Sequence, residues 1–153
     1  GNEASRRRST GPSVLTEEAL LLSKRDTATV VDMTTLEKGR HTEITVIGAL
    51  MSHGWTVLEP VTVEPYDLAI RRRDGGKTYY VQVKTPTYRN EKRYAGKYVV
   101  VKGAKNSGQV YSKDEVDYFA TVIDGVAYMF DNREIAEYWV KLEDVDKRWT
   151  RLI

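Results

Sequence analysis

The tract Tyr66–Lys84, YDLAIRRRDGGKTYYVQVK, constrains the fold more than any other. It holds two strand-like runs around Asp74-Gly75-Gly76, and tandem glycines after an aspartate supply the left-handed backbone that a hairpin turn needs. Side chains alternate faces along a strand, so Tyr80, Gln82 and Lys84 share one face while Tyr79, Val81 and Val83 share the other. On the partner run Asp67, Ala69 and Arg71 share a face. Pairing about Gly75-Gly76 brings Asp67 to the open end of the hairpin, close to Lys84. An acid, an amide oxygen and an ammonium thus converge on one face, where plain strand residues would serve.

The flanking sequence supplies a domain around this hairpin. TTLEKGRHTEITVIGALMSHG carries Leu36, Ile44, Val46, Ile47, Leu50 and Met51 at helical spacing and ends at Gly54, which predicts a helix. WTVLEP reads as a short strand, KYVVVK as a strand after a basic loop, and DEVDYFATVID with VAYMFDN as a hairpin around Asp124-Gly125. REIAEYWV is expected to be a short helix, and LEDVDKRW a C-terminal turn or helix. The expected class is α/β (α+β), a layer with a mostly antiparallel central sheet. Residues 1–32, basic and punctuated by Gly, Pro and Ser, read as a flexible extension with a short helix capped by Thr16; the domain proper is expected at 33–153. The absence of cysteine excludes disulfides and thiolate metal sites. With no apolar run near the ~20 residues of a membrane span, a cytoplasmic, reducing location is expected.

The helix offers a fourth member to the converging group. Glu43 precedes Val46, Ile47 and Leu50 by three, four and seven residues, which predicts a place on the sheet-facing stripe. A carboxylate there is costly unless something ionic meets it. A divalent cation such as Mg²⁺, with Mn²⁺ as a substitute, would resolve the conflict, with Asp67 as central ligand, Gln82 as a neutral oxygen donor and Glu43 binding directly or through water. Lys84, two residues beyond Gln82 on the same face, could then orient water or stabilise charge during phosphodiester hydrolysis. Asp117 is expected to order the end of the sheet rather than to act in chemistry.

Glu43, Pro65-Tyr66-Asp67 and Gln82-Val83-Lys84 together resemble the PD-(D/E)XK nuclease superfamily, and the surrounding segments over residues 36–130 resemble its group I intron-associated (homing) endonucleases. The resemblance implies a restriction-endonuclease-like mixed central sheet flanked by helices, Mg²⁺-dependent cleavage of double-stranded DNA, and a homo-oligomer, expected here as a homodimer or homotetramer. Two departures stand out. Gln82 occupies the position of the second acidic ligand, and Tyr66 interrupts the Pro-Asp pair.

Charge is sorted along the chain. Between Lys84 and Lys105 seven basic residues face a single acid, whereas Asp114–Asp146 holds ten acids and two bases. Such sorting suits one surface meant for a polyanion. Arg89, Lys92, Arg93, Lys97, Lys102 and Lys105, interleaved with Tyr88, Tyr94 and Tyr98, are the candidates for DNA contact. The sequence leaves three rivals to a homing-type endonuclease: a Holliday-junction resolvase-like structure-selective nuclease, a catalytically inactive DNA-binding module of the same fold, and a protein-interaction domain using the acidic C-terminal half.

Overall fold

Helix α1 spans Thr35–Ser52 and stops just short of Gly54, whose φ of 81° is the left-handed conformation that ends helices. These coordinates come from a computed structural model, which describes Thr16, Glu17, residues 32–91 and residues 96–152. The chain divides into two units, Gly1–Thr34 and Thr35–Ile153. The N-terminal arm and its expected helix lie outside the described residues, apart from Thr16 and Glu17.

Among the described residues nine strands follow or interleave with the helices: β1 Trp55–Leu58, β2 Leu68–Arg72, β3 Tyr79–Val83, β4 Thr87–Glu91, β5 Gly96–Lys102, β6 Tyr118–Ile123, β7 Val126–Asp131, β8 Glu137–Lys141 and β9 Thr150–Arg151. A 3₁₀ turn, Leu142–Asp144, and a short helix α2, Val145–Arg148, precede the last strand. Six strands form one sheet in the order β1-β2-β3-β6-β7-β9, and β4-β5-β8 form a second. Within the large sheet β3 and β6 are parallel and every other neighbouring pair is antiparallel. The sheet is therefore mixed, and the fold is the restriction-endonuclease-like α+β arrangement.

Strand alternation explains the layers. Leu68 and Ile70 of β2, Val81 and Val83 of β3, and Ala120 of β6 pack with Val46 and Leu50 of α1. The opposite face, through Phe119 and Phe130, packs on Val101 of β5 and Tyr138 of β8. Val145 of α2 packs in a third cluster with Val99, Ile123, Tyr128 and Val140, and Trp149 lies against both this cluster and the preceding one. Each fully buried Leu, Ile or Val contributes about 1.5–3 kcal/mol relative to exposure.

Three expectations change. REIAEYWV is no helix: residues 137–141 are strand β8, paired with β5 from Tyr98↔Lys141 to Lys102↔Glu137. Glu134 has φ 57°, which a right-handed helix cannot include, and Tyr138 and Val140 are buried while Trp139 between them is exposed. The period is two, not 3.6. Secondly, the basic loop after Lys84 begins as strand β4, so Arg89 sits in a sheet. Thirdly, the buried stripe of α1 is Thr42, Val46 and Leu50, whereas Leu36, Ile44 and Met51 are exposed.

One glycine has no room for a side chain. A Cβ at Gly103 would collide with the carbonyl oxygen of Ile135 and the ring of Tyr138. The Gly103 N–H donates to Ala136 O at 2.8 Å, so the backbone is tied there and cannot retreat. Gly103→Ala should destabilise the fold by about 1–3 kcal/mol through overpacking, read as a lowered urea midpoint.

Candidate active site

Asp67 stands at the mouth of the β2–β3 hairpin and is tied to β3 twice. Its N–H donates to Val81 O at 3.0 Å, and its Oδ2 accepts the Val83 N–H at 2.9 Å. These two anchors straddle Gln82. The ladder runs Leu68↔Val81, Ala69↔Tyr80 and Ile70↔Tyr79, a register displaced by two residues from one centred on Gly75-Gly76. Asp67 is therefore level with Gln82 rather than Lys84. Because the displacement is even, Asp67, Gln82 and Lys84 keep the face they share.

Lys84 follows the last residue of β3, and its N–H donates to Ala120 O at 2.9 Å, extending the pairing with β6. Its amine lies over the ring of Tyr111, 5.2 Å from the centroid. Burial lowers the pKa of Lys84 from its usual 10.5; Asp67 opposes that shift and Lys102 adds to it. Burial likewise raises Asp67 above 3.8, the Val83 N–H opposes this, the charge of Glu43 raises it further and that of Lys84 lowers it. Glu43, Asp67 and Lys84 thus lie within one electrostatic neighbourhood. Gln82 is half-buried, with Phe119 of β6 beside it in the ladder.

Glu43 departs from expectation. It lies at the margin of the α1 stripe, with its side chain 28% exposed, and pairs with Arg40 Nη1 at 2.9 Å. The same guanidinium nitrogen reaches Glu59 Oε1 at 2.7 Å. A partnered carboxylate does not by itself demand a cation, so that argument passes to Asp67, which is partly buried and in none of the ion pairs among the described residues. Arg40, Glu43, Glu59, Pro60, Tyr66 and Asp67 line one cleft of about 280 Å³. Its donors, with the Gln82 amide level with Asp67, are all oxygens, the chemistry a hard cation prefers. Among the described residues no three His, Cys, Asp or Glu side chains cluster as a metal site, so any ion here would rest on two carboxylates and an amide.

The basic candidates separate. Arg89 lies over the Trp139 ring at 5.1 Å and Lys97 over Tyr88 at 4.9 Å. Lys102 is exposed at the end of β5. Lys105 is committed to an ion pair with Glu115 and stacks on Tyr111 at 5.6 Å, which makes it part of the wall behind Lys84. Lys92, Arg93 and Tyr94 lie outside the described residues.

Residues 33–151 match the family described as PD-(D/E)XK endonuclease. The chain belongs to that family. Among solved structures it is similar to a bacterial homing endonuclease, I-Ssp6803I, at 20% identity and a TM-score of 0.59, over 71% of this chain and 78% of that one. At that identity the likeness establishes the fold. A comparison with curated proteins found no match. PD-(D/E)XK nucleases generally use divalent metals.

Residues outside the motif support this candidate site. Asp117, as expected, orders the sheet: its N–H donates to Tyr80 O and its Oδ2 accepts the Tyr80 N–H, both at 2.8 Å. Asn132 is buried and donates from Nδ2 to the carbonyls of Tyr111, Ser112 and Val116 at 3.0, 3.2 and 2.9 Å. It thereby holds the segment that places Tyr111 under Lys84. The only sequence signal for Asn132 is a polar residue closing an apolar strand. Arg40 has a weaker signal still, one turn before Glu43 on the helix.

The Asp67 environment has a pH consequence. A folded-state pKa above the usual 3.8 means that ionisation weakens the fold, and the deficit opens as pH rises through the folded value. Asp67→Asn should therefore be more stable than the parent at pH 7.5 in metal-free buffer, by about 0.5–2 kcal/mol. The gap should close as pH falls toward 4, followed by urea denaturation at each pH.

Proposed function

We propose that this chain is a divalent-cation-dependent DNA endonuclease of the homing type, active as a symmetric homodimer or homotetramer. The observation that carries this reading is Asp67. It is a partly buried carboxylate whose Oδ2 is held by the Val83 N–H, close enough to Glu43 and Lys84 for all three charges to interact. A protein gains nothing in stability from that arrangement, and strained ionisation of this kind gathers at functional sites.

Glu43, Asp67 and the Gln82 amide are the residues that would hold the cation. Bound there, Mg²⁺ or Mn²⁺ would supply Lewis-acid polarisation of the phosphoryl oxygen and a water of lowered pKa. With Gln82 in place of an acid the set carries one negative charge fewer, which predicts weak affinity for the ion. Lys84 approaches from the same strand face. Tyr111 beneath the amine limits where its charge can go, so Lys84 is placed to orient the attacking water and to stabilise charge as the phosphorane forms. Arg40 holds Glu43 at the rim of the cleft and brings positive charge to where a phosphate would enter.

Family membership supports phosphodiester hydrolysis, and the homing role is suggested by the name of one structural neighbour, the bacterial homing endonuclease I-Ssp6803I. A single 17.5 kDa protomer offers little surface to span a long site and must cut two strands, which favours a symmetric assembly. No helix among the described residues is long and apolar enough to cross a membrane.

The test is cleavage of long linear duplex and of a four-way junction in Mg²⁺ or Mn²⁺. The parent should cut the duplex at discrete sites. Asp67→Ala should abolish cutting, and Lys84→Ala should slow it by about 10²–10³-fold with duplex affinity preserved. Preference for the junction would favour a resolvase, and binding without cleavage in either metal would leave a DNA-binding module. A second readout does not depend on activity. Millimolar Mn²⁺ should raise the melting temperature of the parent at pH 8 and leave that of Asp67→Asn unchanged.

A further inference from the structure

The three-stranded sheet has two faces of different chemistry. Val99, Val101, Tyr138 and Val140 are buried in the core. The alternate residues lie on the other face, where Val100 is covered at 3% exposure, and the ladder sets them in rows. Arg89, Tyr98 and Lys141 form one row, Thr87, Val100 and Trp139 the next, and Lys102 and Glu137 a third. At the centre lies Trp139, 38% exposed. The Arg89 guanidinium carbon is 5.1 Å from its ring centroid, and the Tyr98 ring is 5.9 Å away on another side. The indole N–H is already matched within its own strand, donating to Glu137 Oε2 at 2.7 Å. What this side chain offers to solvent is therefore apolar ring surface beside positive charge.

Charge and position both bear on the occupant. None of the ion pairs among the described residues involves Arg89, Lys102 or Lys141, whereas Lys105 behind Lys84 is paired. A surface that carries Arg89, Lys102 and Lys141 and stacks the first of them on an exposed indole suits a polyanion with flat groups. One end of the face also lies near the candidate active site. Thr87 comes three residues after Lys84, and Trp139 lies in the same row two strands across, roughly 10 Å away at ~4.8 Å per strand. Lys102, at the near end of the face, is close enough to Lys84 to influence its charge.

Resting on the endonuclease reading, we infer that this outward face is a second nucleic-acid contact surface, lying in the major groove of duplex beside the cleft, with Arg89 as its base-reading residue. The major groove admits a β-ribbon, and arginine to guanine O6 and N7 is the commonest specific contact made there. Stacking on Trp139 covers one face of the guanidinium and restricts its rotamers. Its in-plane N–H edge remains available for a bidentate contact, at a smaller ordering cost than a free side chain would bear.

The experiment selects bound sequences from a randomised duplex pool, using the full chain carrying Asp67→Ala so that nothing is cut. In that background Arg89→Lys, Arg89→Ala, Trp139→Phe and Trp139→Leu are compared. The parent should enrich a motif containing guanine. Arg89→Lys, which keeps the charge, should lose the preference at one guanine. Arg89→Ala should weaken binding about 10-fold and lower the salt slope by about one. Trp139→Leu should relax the same position as Arg89→Lys, and Trp139→Phe less so. Recovery of an unchanged motif with Arg89→Lys, at unchanged affinity, overturns the inference. So does a Trp139→Leu chain that binds duplex as the parent does while its mass by light scattering falls, since the face would then join copies of this chain. If the Asp67-intact chain cleaves duplex while these variants behave as the parent, the endonuclease reading stands and this inference falls alone. A parent that binds no duplex removes both.

Discussion

The double attachment of Asp67 to β3 is the constraint on which the site depends. A backbone bond to Val81 on one side and a carboxylate bond to Val83 on the other leave the acid no freedom to follow solvent. The other candidate groups are measured from that point: Gln82 is level with it, Lys84 comes two residues further along the same face, and Glu43 reaches the same cleft from α1. The attachment is also costly, because it keeps a carboxylate where burial disfavours its charge. The surrounding layers hold it there, with α1 packed on one face of the large sheet and the small sheet on the other.

The second tier of the site is built from loops pinned by buried polar groups. Asn132 ties three carbonyls of the segment from Tyr111 to Val116, and Asp117 clips the start of β6 to Tyr80. Tyr111 then sits between the amines of Lys84 and Lys105, and Glu115 neutralises the second of these. One cation is left to face Asp67 while its neighbour serves the wall. Two lysines of the same sequence stretch thus take different roles, and the position of one carboxylate decides which.

Most of the large sheet was legible in the sequence. The glycine turns at 75–76 and 124–125, the two-residue alternation of β3 and β6, and the helix ending at Gly54 are local signals, and each maps onto an observed element. Of the small sheet only β5, expected from KYVVVK, was legible. REIAEYWV is too short for its period to be decisive, and it becomes a strand because β5 offers a free edge with Val99 and Val101 facing the positions of Tyr138 and Val140. A pairing partner over thirty residues away overrides a weak local preference. For the same reason Trp139 gave no sign of lying beside Arg89.

The residue types and their parity were settled by sequence alone: an acid, an amide and an amine on one strand face, beside a helix carrying a glutamate. Alternation along a strand is a property of the covalent backbone, so it survived a register two residues away from the one that the turn suggested. Register, rotation and neighbours belong to the tertiary structure. Packing turned α1 so that Glu43 met Arg40 at the margin of the core, and it set Tyr111 under Lys84 and covered Asp67 enough to disfavour its charge. Those outcomes depend on which surfaces exclude water together, and no local stretch of chain contains that information.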